Sequence, residues 1–322
     1  MAATKEDSVP GAELGESFFF EHGLPFLSEH YAEYAARAAA GVLGQGSEAM
    51  GFDDELSRDH SWEPRFNLIL TQGDYDEVGE EMERRLRASL PSSYMGFRVY
   101  LPKGDIGTTR IEGIDDFFLK HAGRSRPPKD DLGWVKLSDH RLFQATCGKV
   151  FYDPLGEFTR RRKAFAYYPF KAWMKKLSAY LWLYQNYTYN VRRCLTRADL
   201  VAAEMYLGHS MYAGMRICYL LNRTYSPYLK WMVRRLRELP YLTGGLLPLL
   251  KEMSVPRPWD ERAKALDSLD GIVEESVLNE MGWRKPRHHP RFPFYELSGR
   301  INDRLPGELR RIQPYEIESA EM

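Results

Sequence analysis

Residues able to do chemistry are concentrated in one segment, Gly46-Ser47-Glu48-Ala49-Met50-Gly51-Phe52-Asp53-Asp54-Glu55-Leu56-Ser57-Arg58-Asp59-His60-Ser61-Trp62. A glycine at 46, followed by Ser47, lets backbone N–H groups approach an anion closely, which is what a phosphate-binding turn requires. Residues i and i+2 of a strand share a face, so Asp59 and position 61 would converge on one ion. Magnesium prefers carboxylate and phosphate oxygens, and two such ions can stabilise the attacking and leaving oxygens of an in-line displacement at phosphorus. Position 61 holds a serine, whose hydroxyl is a much poorer magnesium ligand than a carboxylate. Asp53, Asp54 and Glu63 are the nearby carboxylates that could substitute for it.

The charge distribution is compatible with such a site. Lys and Arg together number 45, as do Asp and Glu, so the formal net charge is zero and a nucleic-acid-coating role is disfavoured. Residues 1–60 nevertheless carry 3 basic against 12 acidic side chains, and residues 156–240 carry 16 basic against 4 acidic. One wall suited to a divalent metal and another suited to polyanionic phosphate would show this asymmetry, as would two complementary packed surfaces. P-loop, HExxH and GxSxG patterns are absent, which removes the starting point for ATPase, metalloprotease and esterase readings.

The 322 residues suggest about two domains, and 43% hydrophobic with 28% charged residues is ordinary for a globular chain. Cys147, Cys194 and Cys218 form no CxxC pair and leave an odd count, against a disulfide framework or zinc knuckle and in favour of a reducing cytoplasm. No apolar run reaches the roughly 18 residues of a membrane span; Leu200–Leu221 comes nearest but carries Glu204, His209 and Arg216. With no basic-then-apolar leader pattern, a soluble cytoplasmic protein with no membrane partner is expected.

The elements that must position the site read as follows. Residues 1–15 are small and polar, and disorder is expected there. A helical pattern over 15–40 is broken at Pro25. Strands are expected at Gly41–Gly44, Phe66–Leu70, Phe97–Leu101 and Thr108–Ile114, with an acidic helix over Asp74–Ala88. Together they predict an α/β domain over residues 16–153. Beyond Asp153-Pro154 the pattern turns to long helices at Leu155–Tyr168, Phe170–Asn186, Asp199–Asn222 with Asp199 as cap, Ser226–Leu239 with Ser226 as cap, and Trp259–Met281. Short links predict an antiparallel helical bundle over 154–282. Residues 283–322, rich in Pro and Arg, read as an extended tail in which His288 and His289 are exposed. The Trp and Tyr residues from Trp173 to Tyr189 have the helical spacing of a core face.

The Gly-Ser pair followed after about ten residues by the aspartate segment resembles the signature of the nucleotidyltransferase superfamily, whose fold is that of the DNA polymerase beta palm. The runs GFDDELSRDH, SDHRLFQATCGKVFYDPLGEFT, PFKAWMKKLSAYLW and RTYSPYLKWMVRRLRELP further resemble the family called domain of unknown function 4037, over roughly residues 20–285. Its members usually show Asp-His-Asp where this chain has Asp59-His60-Ser61. The resemblance implies an α+β chain, with a small mixed-sheet nucleotidyltransferase-like domain ahead of the bundle. It also implies Gly46 and Ser47 cradling the phosphates of a nucleoside triphosphate. Asp59 and Glu112 would be catalytic metal ligands, Glu112 lying on the last core strand beside Asp59, with Asp54 as a further ligand for magnesium or manganese. His60 would point to the opposite face of its strand. Lys176, Arg193 and Arg197 are the bundle cations that could meet the triphosphate. The implied reaction is magnesium-dependent transfer of a nucleoside monophosphate to a small-molecule or protein acceptor. A nucleotide-binding or protein-interaction module that lost catalysis with the second aspartate is the alternative, and an antitoxin-like partner a third.

Overall fold

The computed structural model describes residues 9–58, 63–99, 108–285 and 290–321. Two compact units share the chain. One combines the residues up to Pro127 with Arg141–Ala166, and the other combines Pro128–His140 with the residues from Tyr167 onward.

In the first unit α1 (Gly11–Phe18) buries Leu14 and Phe18 and continues through a π-helical turn, Phe19–Gly23, into α2 (Leu24–His30). The helix is therefore not broken at Pro25. A proline lacks an N–H and crowds the carbonyl one turn back, and the π turn directly before it absorbs that conflict. The chain leaves the helix at Tyr31 instead, then passes α3 (Ala32–Ala35) into β1 (Ala39–Leu43), which is buried along its whole length. The expectation of disorder over residues 1–15 is corrected for the described part: Leu14 is fully buried, and Asp53 accepts a hydrogen bond from Gly11 N at 2.8 Å.

After β1 come α4 (Ser47–Met50), a 3-10 turn (Glu55–Arg58), β2 (Asn67–Leu70) and α5 (Gln72–Ser89). Thr71 caps α5 by accepting from Asp74 N, and Asp74 in turn receives both Nε and Nη2 of Arg37. β3 (Ser93–Tyr94) and β4 (Phe97–Arg98) form a minimal hairpin; of the strand expected over Phe97–Leu101, Val99 falls outside β4, and Tyr100 and Leu101 lie outside the described residues. Next are β5 (Arg110–Gly113) and α6 (Ile114–Ala122). The second unit takes α7 (Asp131–Val135), the division falls within α8 (Asp139–Thr146), and β6 (Gly148–Tyr152) and α9 (Glu157–Ala164) return to the first unit.

The main sheet has the order β5-β2-β1-β6. β1 runs antiparallel to β2 and β6, while β2 and β5 are parallel, so the sheet is mixed. Ala40, Leu68, Leu70 and Ile111 enter the core with Leu14, Phe18, Phe19, Phe66, Met82 and Leu86. Alternation along the strands places Asn67, Ile69 and Ile69's register partner Glu112 on the other face.

In the second unit α10 (Phe170–Thr196) runs ten residues beyond the expected end, because Tyr187, Val191 and Cys194 extend its buried stripe. A three-residue link leads to α11 (Leu200–Leu221), capped by Asp199 as expected, whose side chain accepts from Ala202 N. Trp173 meets Leu220, and Tyr187 meets Tyr206, so the two helices are antiparallel. α12 (Leu229–Leu236) starts later than expected. Ser226 caps nothing there: it is buried and accepts from Arg216 Nη1 at 2.9 Å. The pair α13 (Thr243–Ser254) and α14 (Trp259–Met281) forms another hairpin, with Arg262 Nε donating to Met253 O.

The described part of residues 283–322 is not an extended tail. It forms α15 (Pro293–Asn302), α16 (Gly307–Arg310) and α17 (Pro314–Ser319), with Phe294, Leu297, Ile301, Leu305, Leu309 and Ile317 buried. His288 and His289 lie outside the described residues. The chain is thus α+β, a small mixed sheet with helices followed by a helical assembly. Among the described residues no helix is long and apolar enough to cross a membrane.

Candidate functional site

The Gly-Ser segment leaves β1 at its end. Gly44 takes φ +77° and Gly46 φ +125°, conformations that favour glycine, so the backbone can turn sharply between β1 and α4. Arg65, almost completely buried, holds this turn from below. Its Nε donates to Glu48 Oε1 at 2.7 Å, its Nη2 to Gln45 O at 2.9 Å and its Nη1 to Asn67 Oδ1 at 3.1 Å. A Cβ on Gly46 would come within 2.4 Å of Glu48 Oε1, so Glu48 and its turn are packed as one piece.

Asn67 links this turn to the neighbouring strand. Its Oδ1 accepts from Leu43 N at 3.1 Å, at the end of β1, and its Nδ2 donates to Glu112 Oε2 at 3.4 Å. Glu112 Oε1 receives Lys120 Nζ at 2.7 Å. Burial works against ionisation of Glu112, yet the Lys120 ammonium, aided by His121 and Arg110, outweighs it and holds the carboxyl below its usual range.

His121 packs beside Gly44, where a Cβ would meet its imidazole at 2.7 Å. The ring is buried and its Nδ1 makes no hydrogen bond. Burial, reinforced by Lys120, lowers its pKa to about 4, so the ring is neutral at physiological pH. Cys147 donates from Sγ to Gly44 O at 3.4 Å, and burial pushes its thiol up to about 12, leaving a protonated packing group rather than a nucleophile.

The expected site residues are therefore placed as follows. Gly46 and Ser47 form the turn, and Glu112 stands on β5. Asp59 lies outside the described residues, as do His60, Ser61 and Trp62. Asp54 follows the turn and is exposed, its Oδ1 accepting from both N and Oγ of Ser57 at 2.9 Å. Among the described residues no three His, Cys, Asp or Glu side chains converge as metal ligands. An ionised carboxylate at Glu112 suits a hard cation in donor chemistry, but it is already matched by Lys120. The remaining ligands of a magnesium site would come from the segment of Asp59.

Lys176 and Arg193 belong to the second unit. Lys176 is fully buried, its Nζ bound to Leu137 O, Asp139 Oδ1 and Glu321 Oε1. Arg193 is exposed and donates to Tyr189 OH at 2.8 Å. Arg197 is likewise exposed. The sequence reading missed Arg65, Asn67, Glu48 and Lys120. An available signal was the pair Arg65 and Asn67, a charge and an amide set among the apolar residues Phe66, Leu68, Ile69 and Leu70.

Residues 134–232 match the model of the family described as Domain of unknown function (DUF4037), a narrower stretch than the 20–285 expected from the quoted runs. In structure the chain is similar to a nucleotidyltransferase-like protein from Exiguobacterium sibiricum, with 12% sequence identity and a TM-score of 0.40 over 81% of this chain and 77% of that one. No curated protein sequence matches it.

Proposed function

We propose that this chain transfers a nucleoside monophosphate from a nucleoside triphosphate to a hydroxyl of a small molecule or a protein. The observation that carries the reading is the Asn67 bridge: one side chain joins the strand leading into the Gly46-Ser47 turn to the carboxylate of Glu112. A turn for phosphate and a carboxylate for a hard cation are thereby held at a fixed separation.

In the proposed reaction the acceptor oxygen attacks the α-phosphorus and forms a new O–P bond. The bond from that phosphorus to the bridging oxygen breaks, pyrophosphate departs, and the hydroxyl proton passes to a carboxylate of the site or to solvent. Gly46 and Ser47 would hold the departing phosphates through backbone N–H groups, with Arg65 fixing the turn from beneath. Asp59, Glu112 and Asp54 would hold magnesium or manganese, which supplies Lewis-acid stabilisation of the phosphoryl oxygens when bound.

The test is pyrophosphate release with magnesium over the four ribonucleoside triphosphates and a panel of acceptors. Wild type should release it, while Asp59→Asn and Glu112→Gln should lose on the order of a hundredfold or more, as when a positioned charge is removed. Release unchanged in both variants overturns the assignment.

A second reading, a nucleotide-binding module without turnover, is favoured by two features. The position expected to hold the second aspartate is Ser61, and Glu112 already carries an internal counter-ion in Lys120. Activity that emerges only in Ser61→Asp selects this reading.

A further inference from the structure

The most deeply buried charges of the second unit surround a single carboxylate that follows α17. Glu321 Oε1 receives Lys176 Nζ at 3.0 Å and Arg216 Nη2 at 2.9 Å. Its Oε2 receives Asp139 N at 2.8 Å and Ser138 Oγ at 3.2 Å. Two cations, a backbone N–H and a hydroxyl, all aimed at one carboxylate, make the donor set of an oxyanion site. Asp139 completes the charge balance by pairing with Lys176 through Oδ1 and with Arg216 through Oδ2. Without Glu321 the set of Lys176, Arg216 and Asp139 carries one net positive charge.

The site also has more donors than a carboxylate uses. Arg216 is 2% exposed, yet its Nε has no hydrogen-bond partner, and its guanidinium lies over the buried Tyr180 ring at 4.7 Å. A buried donor without a partner is costly, and a group with more than two acceptor oxygens could use it.

The element that delivers Glu321 is held less firmly than its neighbour. α15 is anchored by Phe294, Leu297 and Ile301 along α10, whereas α17 buries Ile317 alone. Its other attachments are one edge-on ring contact between Tyr315 and Trp182 and hydrogen bonds from Asn186 Nδ2 to Tyr315 OH at 2.9 Å and from Tyr187 OH to Glu318.

We infer that Lys176, Arg216, Ser138 and the Asp139 N–H form a phosphoryl-binding site that the chain closes with its own Glu321, so that α17 is a latch released by a phosphate-bearing ligand. The ligand and Glu321 exclude one another, and coupling between two such occupants is reciprocal. The latch is independent of the reading given to the sheet, since every residue in it belongs to the second unit.

The experiment uses the full chain, without metal, as wild type, Glu321→Gln and the charge-balanced double variant Lys176→Met/Glu321→Gln. Amide exchange over residues 306–321 and calorimetric titration with inorganic phosphate, tripolyphosphate and acetate are measured on each. Glu321→Gln should speed exchange across α17 and bind tripolyphosphate on the order of tenfold more tightly than wild type, a typical coupling. In wild type, tripolyphosphate should speed the same exchange. The double variant should fold and bind neither phosphate, because one cation is gone. Acetate binding as tight as phosphate overturns the phosphoryl assignment. Equal exchange in wild type and Glu321→Gln, or equal phosphate binding by the single and double variants, overturns the latch. A Glu321→Gln chain that refolds on adding phosphate supports it, and one that stays unfolded at every phosphate concentration overturns it, the cluster then being structural only.

Discussion

Arg65 and Glu48 form an ion pair at 2.5 Å with both side chains almost wholly withdrawn from solvent. Replacing Arg65 by Met would leave a buried carboxylate without its counter-charge and the Gln45 carbonyl without its donor. A loss of about 3–5 kcal/mol in unfolding free energy is expected for breaking a buried pair from one side. Urea denaturation of Arg65→Met measures it, and Glu48→Gln in the same chain should restore a good part. A loss below 1 kcal/mol would show that the turn does not depend on this pair.

Two glycines near that turn should respond differently to alanine. Gly51, at φ +71°, has no atom within 4 Å of a Cβ, so Gly51→Ala should cost about 1 kcal/mol of backbone strain. Gly46, at φ +125°, would additionally drive a Cβ into the Glu48 carboxylate that Arg65 fixes, so Gly46→Ala should cost about 2 kcal/mol more. Melting temperatures of the two variants, measured side by side, decide the order.

His121 makes stability fall with acid. Its folded pKa of about 4 lies below the unfolded value of 6.5, so below pH 6.5 the unfolded chain binds a proton that the folded chain refuses. The contribution is fully present above about pH 6.5, declines as pH falls, and has vanished by about pH 4, a span of about 3 kcal/mol at most. His121→Asn should flatten the stability profile over this interval. An unchanged slope would mean that the imidazole is protonated in the folded chain.

Lys120 competes with any cation that Glu112 would hold. Removing its charge in Lys120→Met should tighten manganese binding on the order of tenfold, because a like charge at ion-pair distance costs between about 1 and 4 kcal/mol near a protein surface. Paramagnetic resonance of free manganese reads the change directly. No tightening would remove Glu112 from the ligand set or Lys120 from the competition.

What the sequence made legible was local. Trp259–Met281 has the bounds expected of it, and the Asp199 cap and the acidic helix ahead of Glu112 come from signals within a few residues of themselves. β6 carried no such signal, because Gly148–Tyr152 is only partly buried and shows no clean alternation. α13 was hidden by Gly244-Gly245 and by Pro248 in its interior. The network around Gly46 and Glu112 depends on partners 17 to 45 residues apart, brought together by the registers Gly41↔Asn67 and Ile69↔Glu112. Residue spacing alone contains no trace of those registers. The fate of Lys176 was equally hidden, since the carboxylate that claims it lies 145 residues further on.

The interleaving of the two units fixes an order of events during synthesis. The strand β6 pairs with β1, yet it emerges only after Pro128–His140 has been made for the other unit. Until residue 152 leaves the ribosome, one edge of β1 stands open, with hydrogen-bonding groups available to any passing strand. At translation rates of about 5–20 residues per second, the interval between the end of β5 and the end of β6 lasts a few seconds. A fragment ending at Pro127 would keep that edge open permanently and should aggregate, so the first unit is not a piece that can be cut out at one boundary. The stretch 134–232 shared with the family takes β6 and α9 from one unit and the first long helices from the other, and thus marks a segment of sequence and not an independent folding body.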